Sequence, residues 1–368
     1  MLNNESQNKI LVIATAAIEG GALTILAQFL DSIPKEDRKK YILFVSPLVC
    51  ENKIFSDFLI HCIDTANWPA RIYHDLTGYS REVKKFKHSI NLCINFQNIP
   101  ARIGHIKQIV YMHQSLPFYN VRWNIFKKSE RKFWLYRKIY ILFIAINKKY
   151  AWKFIAQSNW LAQSLAKKIN YDRNNIVVLK PGISPVFKKK RNEHLLINNN
   201  FVYPAAFHDY KNHEIIFQAL SLLGVKYLEG FNFKLILTIN SSKDIVATIN
   251  SYGLGSVIEL SGVIDTEELN RIYDESYSLL FPSKIESFGL PLVEAASKGL
   301  YIICADLPYA RENLISYRKA FFANPDKSNE WALLIRSILE GNKDVQDGSF
   351  EYESDWPKLQ TLIKNTLK

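Results

Sequence analysis

Short runs of branched and aromatic residues alternate along this chain with stretches of helical spacing, and that alternation leaves few folds open. Lys9 to Ala14 reads as an apolar strand, Glu19, Gly20 and Gly21 as a turn, and Leu23, Leu26, Ala27 and Leu30 as the apolar stripe of a helix. Further strands are expected at 41–45, 90–96 and 108–112. The cycle restarts after Pro181 and Gly182, with strands at 201–203, 233–239, 257–260, 278–281 and 301–304. Between and after them the spacing predicts helices at 212–223, 266–275, 291–298, 329–339 and 356–367. Strand–helix alternation of this kind specifies α/β architecture, with parallel sheets covered on both faces.

A chain of 368 residues exceeds the ~250–300 residues at which single cores stop growing. Two Rossmann-like domains are therefore expected, 1–180 and 181–350, with the segment 351–368 forming a terminal helix that packs back toward the first. The residues from Met1 to Lys9 are polar and lack the charged and apolar regions of a secretory signal, so a cytoplasmic location is expected. The longest apolar run, Ile139 to Ile146, falls far short of the ~20 residues a spanning helix needs. Cys50, Cys62, Cys93 and Cys304 form no C-x-x-C pair, which fits neither a disulfide framework nor a zinc site, and they read as small core residues.

The net charge is +12, and one stretch holds most of it: Arg122 to Lys153 carries ten Lys/Arg against the single acid Glu130. Interleaved aromatics make this stretch look like an amphipathic helix or helix pair suited to an anionic membrane surface. Lys127, Lys128, Arg131, Lys132 and Trp134 are the expected membrane-facing residues. A solvated basic face is the plainer alternative, and a nucleic-acid partner rests on charge and aromatics alone.

The chemistry concentrates between Glu286 and Glu294. Ser287, Phe288, Gly289, Leu290 and Pro291 form a tight strand-to-helix turn, which places the first carboxylate on the loop and the second on the helix. In open α/β sheets ligands bind beyond the carboxyl ends of the strands, where loop groups and helix N-terminal amides converge. Gly289 lets the backbone approach a ligand, and a glutamate one turn along the helix can chelate a vicinal diol such as ribose. A nucleotide sugar suits that arrangement.

These residues resemble the retaining glycosyltransferases of family four, which share the GT-B fold of two Rossmann-like domains with parallel sheets facing a central cleft. Glu19 to Leu23 looks like the family's N-terminal glycine loop, Tyr111 to Tyr119 like its acceptor-side histidine segment, and Tyr203 to His213 like its basic donor-phosphate loop. The stretch from Leu280 through Glu294 is the most diagnostic part. The resemblance implies that His113 and Glu286 are catalytic. It implies donor contacts from Gly20, Gly21, Lys211, Ser287, Phe288, Gly289, Leu290 and Glu294, with Glu294 on the ribose and Lys211 on the diphosphate. Where the family usually offers an Arg in the phosphate loop, this chain has Ala206.

The implied activity is retaining transfer of a hexose from a GDP- or UDP-sugar to a glycan acceptor, one carried on a polyprenyl diphosphate lipid, in surface-polysaccharide (O-antigen or capsule) assembly. The protein would then work as a peripheral enzyme at the inner face of the cytoplasmic membrane. The chain has no Asp-any-Asp triplet, so metal-independent transfer with no cofactor is expected, fixed cations stabilising the leaving diphosphate. A nucleotide-sugar 2-epimerase of the same fold is the competing enzyme, and would need acid/base groups instead of an acceptor site.

Overall fold

The computed structural model describes residues 9–86, 90–119, 123, 125–126, 128–189, 199–341 and 350–367. The chain divides into two compact units, Met1–Gly182 with Glu353–Lys368, and Ile183–Tyr352.

The first unit contains β1 (Lys9–Ile13), β2 (Tyr41–Val45), β3 (Leu59–Cys62), β4 (Ile90–Asn95), β5 (Lys107–Met112), β6 (Lys153–Ala156) and β7 (Ile176–Val178). All pairings between them are parallel, in the order β3-β2-β1-β4-β5-β6-β7. Every residue of β1 and β2 is buried, as expected of central parallel strands covered on both faces. The helix Trp356–Leu367 packs within this unit. Trp356 stacks on Tyr111 with ring centroids 5.5 Å apart, and Gln360 Nε2 donates to Ser32 Oγ at 2.9 Å. The Asp355 carboxylate accepts from the Lys180 amide at 2.9 Å, fixing the return of the chain.

The second unit contains β8 (Asn199–Tyr203), β9 (Phe233–Leu237), β10 (Ile258–Leu260), β11 (Ser278–Phe281), β12 (Tyr301–Ala305) and β13 (Ala320–Ala323). They form a parallel sheet in the order β10-β9-β8-β11-β12-β13. In each unit the first strand lies between its second and fourth, so strand order reverses at β1/β4 and at β8/β11. Those switch points are where open α/β sheets leave a crevice at their carboxyl ends.

Two expectations need correction. Cys93 and Cys304 are core residues, but Cys62 is exposed because it ends β3, an edge strand with little cover, and Cys50 is only partly buried in the turn after β2. The basic stretch is not amphipathic in the simple sense either. It forms one helix, Lys128–Asn147, that is apolar on more than one side. Tyr140 and Ile144 are buried against Val110, Phe154 and Leu161, with Tyr136, Ile141 and Phe143 packed beside them. Among the described residues no helix is long and apolar enough to cross a membrane.

Candidate functional site

The loops after β8 and β11 meet at the switch point of the second unit. Lys211 belongs to a single turn, Asp209–Lys211, that follows β8. It is anchored where the Tyr203 hydroxyl donates to the Lys211 carbonyl at 2.6 Å and the Lys284 amide donates to the Tyr210 carbonyl at 2.8 Å. Asn212, next along, takes the left-handed backbone (φ 59°) that Asn tolerates well and donates to the Pro325 carbonyl at 2.8 Å. With the backbone fixed on both sides, the Lys211 ammonium reaches Glu286 Oε1 at 2.6 Å. Two charges 75 positions apart in sequence thus form one mostly buried pair.

Gly289 ends the loop. Its φ of +87° lies in the left-handed region, and a Cβ there would come within 3.2 Å of Leu292 and of the Tyr309 ring, so glycine is required for both reasons. The helix Leu290–Lys298 starts immediately, with Pro291 in its first turn and no side-chain cap on its leading amides. Phe288 is buried, and its carbonyl accepts from Asn313 Nδ2. One turn into the helix Glu294 is buried, and the Tyr273 hydroxyl donates to its Oε2 at 3.2 Å. Burial pushes the Glu294 carboxyl up to about 7, against the pull of that hydrogen bond. Ala206 and His208 are exposed in the loop that follows β8.

In the first unit, Gly20 opens the helix Gly20–Asp31 just beyond β1, exposed and with φ +57°. His113 follows β5 and meets Asn98, which follows β4. Asn98 Oδ1 accepts from the amides of His113 at 2.7 Å and of Gln114 at 3.0 Å. Those two bonds fix the orientation of the Asn98 amide, so its Nδ2 donates to His113 Nε2 at 3.2 Å. The ring proton therefore resides on Nδ1. That N–H is buried and has no hydrogen-bond partner among the described residues. Burial, and then the nearby Arg71 guanidinium, push the His113 pKa down to about 4. The imidazole is neutral at pH 7 and offers a donor rather than a base.

Around it are residues that sequence reasoning missed. Arg71 Nε and Asp75 Oδ1 are buried without partners among the described residues, and the Tyr140 hydroxyl donates to the Gln97 carbonyl at 3.2 Å. Burial pushes the Asp75 carboxyl up to about 7, partly offset by Arg71. Nothing in the local sequence marks Arg71 or Asp75, since both come from an irregular helical stretch between β3 and β4.

The second unit is a Rossmann-like domain with a cation–carboxylate pair and a glycine-opened helix at its switch point, one of two such parallel-sheet domains in the chain. Residues 187–349 match the profile of glycosyl transferases group 1, and this part of the chain is a domain of that family. The chain is 24% identical over 294 residues to the O-antigen chain mannosyltransferase RfbU of Salmonella typhimurium, covering 78% of this chain and 76% of that protein. It is 47% identical over 105 residues to the serotype-specific mannosyltransferase WbdA of Escherichia coli, a match spanning 28% of this chain and 13% of WbdA. Among solved structures, HepE of Anabaena in complex with UDP superposes with a TM-score of 0.71 at 15% identity, covering 98% of this chain and 99% of that one. The fold is GT-B.

Proposed function

We propose that this protein transfers a hexose, mannose by analogy with RfbU and WbdA, from a nucleoside diphosphate sugar to a glycan acceptor in surface-polysaccharide assembly, with retention of anomeric configuration. The observation that carries the reading is the meeting of Lys211, Glu286 and the uncapped start of Leu290–Lys298 at the β8/β11 switch point. Lys211 and the leading amides of the helix meet the diphosphate, whose charge grows as it departs. Glu294 accepts from the ribose hydroxyls. Glu286 holds Lys211 in place and lies toward the sugar. Ser287, Phe288 and Leu290 supply backbone contacts.

With fixed cations for the leaving group and no Asp-any-Asp triplet in the chain, the transfer runs without a metal. The acceptor is a lipid-linked glycan, and the enzyme works as a peripheral protein at the inner face of the cytoplasmic membrane. The basic stretch of the first unit supports that placement.

Incubation with a panel of nucleotide sugars, read as release of nucleoside diphosphate, tests the reading. Slow hydrolysis of one donor, GDP-mannose foremost, is expected; no release from any donor, or conversion of a donor to its epimer without release, would overturn it.

His113 acts in this scheme through its Nδ1–H, as a hydrogen-bond donor to a sugar oxygen. His113→Ala should lower turnover by about 10-fold, since one lost hydrogen bond costs ~1–2 kcal/mol, and leave nucleotide affinity unchanged. The wild-type rate should show no step from this group between pH 6 and 8, because its pKa of about 4 keeps it neutral throughout. A rate that climbs with an apparent pKa near 6.5 and loses that step in His113→Ala would show a general base instead.

A further inference from the structure

The helix Lys128–Asn147 carries two apolar stripes, and the fold uses only one. Tyr140 and Ile144 face the core of the first unit. Displaced around the helix, Leu135, Ile139, Leu142 and Ile146 are 42%, 40%, 56% and 51% exposed. Their spacing of four, three and four residues places all four on one narrow face, over three turns. Scattered exposed apolar residues are ordinary on a protein surface, but a contiguous helical row is not.

The charge beside that row indicates what covers it. At 100° per residue, Arg131 and Lys138 lie within about 70° of its centre line, and both are exposed. The charge of Lys138 also acts on a neighbour, behind the larger effect of burial. Lys168, whose ammonium donates to the Pro117 carbonyl at 3.1 Å, is pushed down to about 8 by burial and by the charges of Arg137 and Lys138. A row of Leu and Ile bordered by cations matches the boundary of an anionic bilayer, with acyl chains beneath and phosphate headgroups above. Phe126, just ahead of the helix, is 95% exposed.

We infer that Leu135, Ile139, Leu142 and Ile146 form an in-plane insertion face that docks the first unit on anionic lipid, with Arg131 and Lys138 pairing with headgroups. This deepens the membrane reading proposed above and rests on it, while moving the contact from the basic residues to the apolar row. Of the five residues singled out by sequence, Arg131 is exposed at the border of the row. Trp134 is only partly exposed and lies about 110° from its centre line. Lys127 and the side chains of Lys128 and Lys132 lie outside the described residues.

The test is co-sedimentation of the full chain with vesicles of equal parts phosphatidylglycerol and phosphatidylcholine, against pure phosphatidylcholine, at low and at 0.5 M salt. Wild type is expected to bind the anionic vesicles at least about 10-fold more tightly, and to lose most of that preference at high salt. Leu142→Glu with Ile146→Glu, both on exposed positions, should cut vesicle binding at least about 10-fold while leaving the melting temperature and nucleoside diphosphate release unchanged. Arg131→Glu with Lys138→Glu should remove the anionic preference.

Unaltered vesicle binding in the Leu142/Ile146 variant would overturn the inference. So would a wild-type dimer that this variant converts to monomer, since a second copy of the chain would then be the cover. Donor turnover separates the two levels of the account: failure of the transferase reading appears as absent diphosphate release with vesicle binding intact.

Discussion

Replacing Lys211 with Met is expected to lower kcat/KM by about 10²–10³, the effect of removing one preorganised charge from a developing anion, ~3–4 kcal/mol. Methionine keeps most of the apolar stem, so the loss reports the charge. The same change leaves the Glu286 carboxylate in a mostly buried position without its 2.6 Å partner, and removing one member of a buried pair is costly in itself. The two effects separate in a double-mutant cycle. Glu286→Gln alone should lower turnover at least about 10-fold, because Lys211 loses its anchor and the sugar loses a carboxylate. If Glu286 acts chiefly by holding Lys211, the double variant will be little worse than Lys211→Met, with a coupling energy of ~1–3 kcal/mol. Full additivity would assign the two residues independent roles, and wild-type rates in either single variant would remove that residue from the site.

Glu294→Gln is expected to make the protein more stable while weakening the donor. The Glu294 carboxyl is raised from 4.5 to about 7 by burial. A raised folded-state pKa means that the folded protein favours the protonated form, while the unfolded chain ionises freely above about 4.5. The cost is absent at low pH, grows as pH rises from about 4.5 through 7, and is constant beyond. Two to three pKa units amount to on the order of 3 kcal/mol. Glutamine keeps an oxygen to accept from the Tyr273 hydroxyl and carries no charge. Denaturation at pH 8 should therefore show the variant ahead of wild type by up to that amount, and at pH 4.5 the two should coincide. Nucleotide affinity should fall at least about 10-fold, because the neutral amide replaces an anionic acceptor for the ribose hydroxyls. A variant no more stable at pH 8 would show that the carboxylate is already compensated in the folded state. Retained affinity would show that the ribose binds elsewhere. An acid kept in a buried helix position at a cost in stability is what a binding role explains and a structural role does not.

The second unit was largely legible in the sequence because its signals are local. The helix Thr266–Glu275 starts where Asp265 caps it, Oδ1 accepting from the Glu268 amide at 2.8 Å, and β11 (Ser278–Phe281) is a compact, fully buried run. The turn from Glu286 to Glu294 could be read because its glycine and proline serve backbone needs that show in residue type.

The first unit hid more. β3 has mostly exposed side chains and no alternation, and β7 is only three residues long, so neither carries a period to detect. The link between Lys211 and Glu286 spans 75 residues, and spacing cannot show a contact made through sheet order. His113 was legible as a residue but not in its chemistry. Its tautomer depends on Asn98, held at φ 64° by the chain's path beyond β4. The composition of Arg122 to Lys153 predicts an amphipathic helix or helix pair, whereas in the folded helix Tyr140 and Ile144 face the core and Leu142 and Ile146 face outward. Hydrophobicity alone does not divide those two rows.

The central claim is that the second unit binds the donor through Lys211 and Glu294. Calorimetric titration of GDP-mannose into wild type and into the Lys211→Met, Glu294→Ala double variant tests it most directly. The account predicts one site in wild type and a loss of affinity of at least about 100-fold in a variant that still folds. Equal affinity in the two proteins would contradict it.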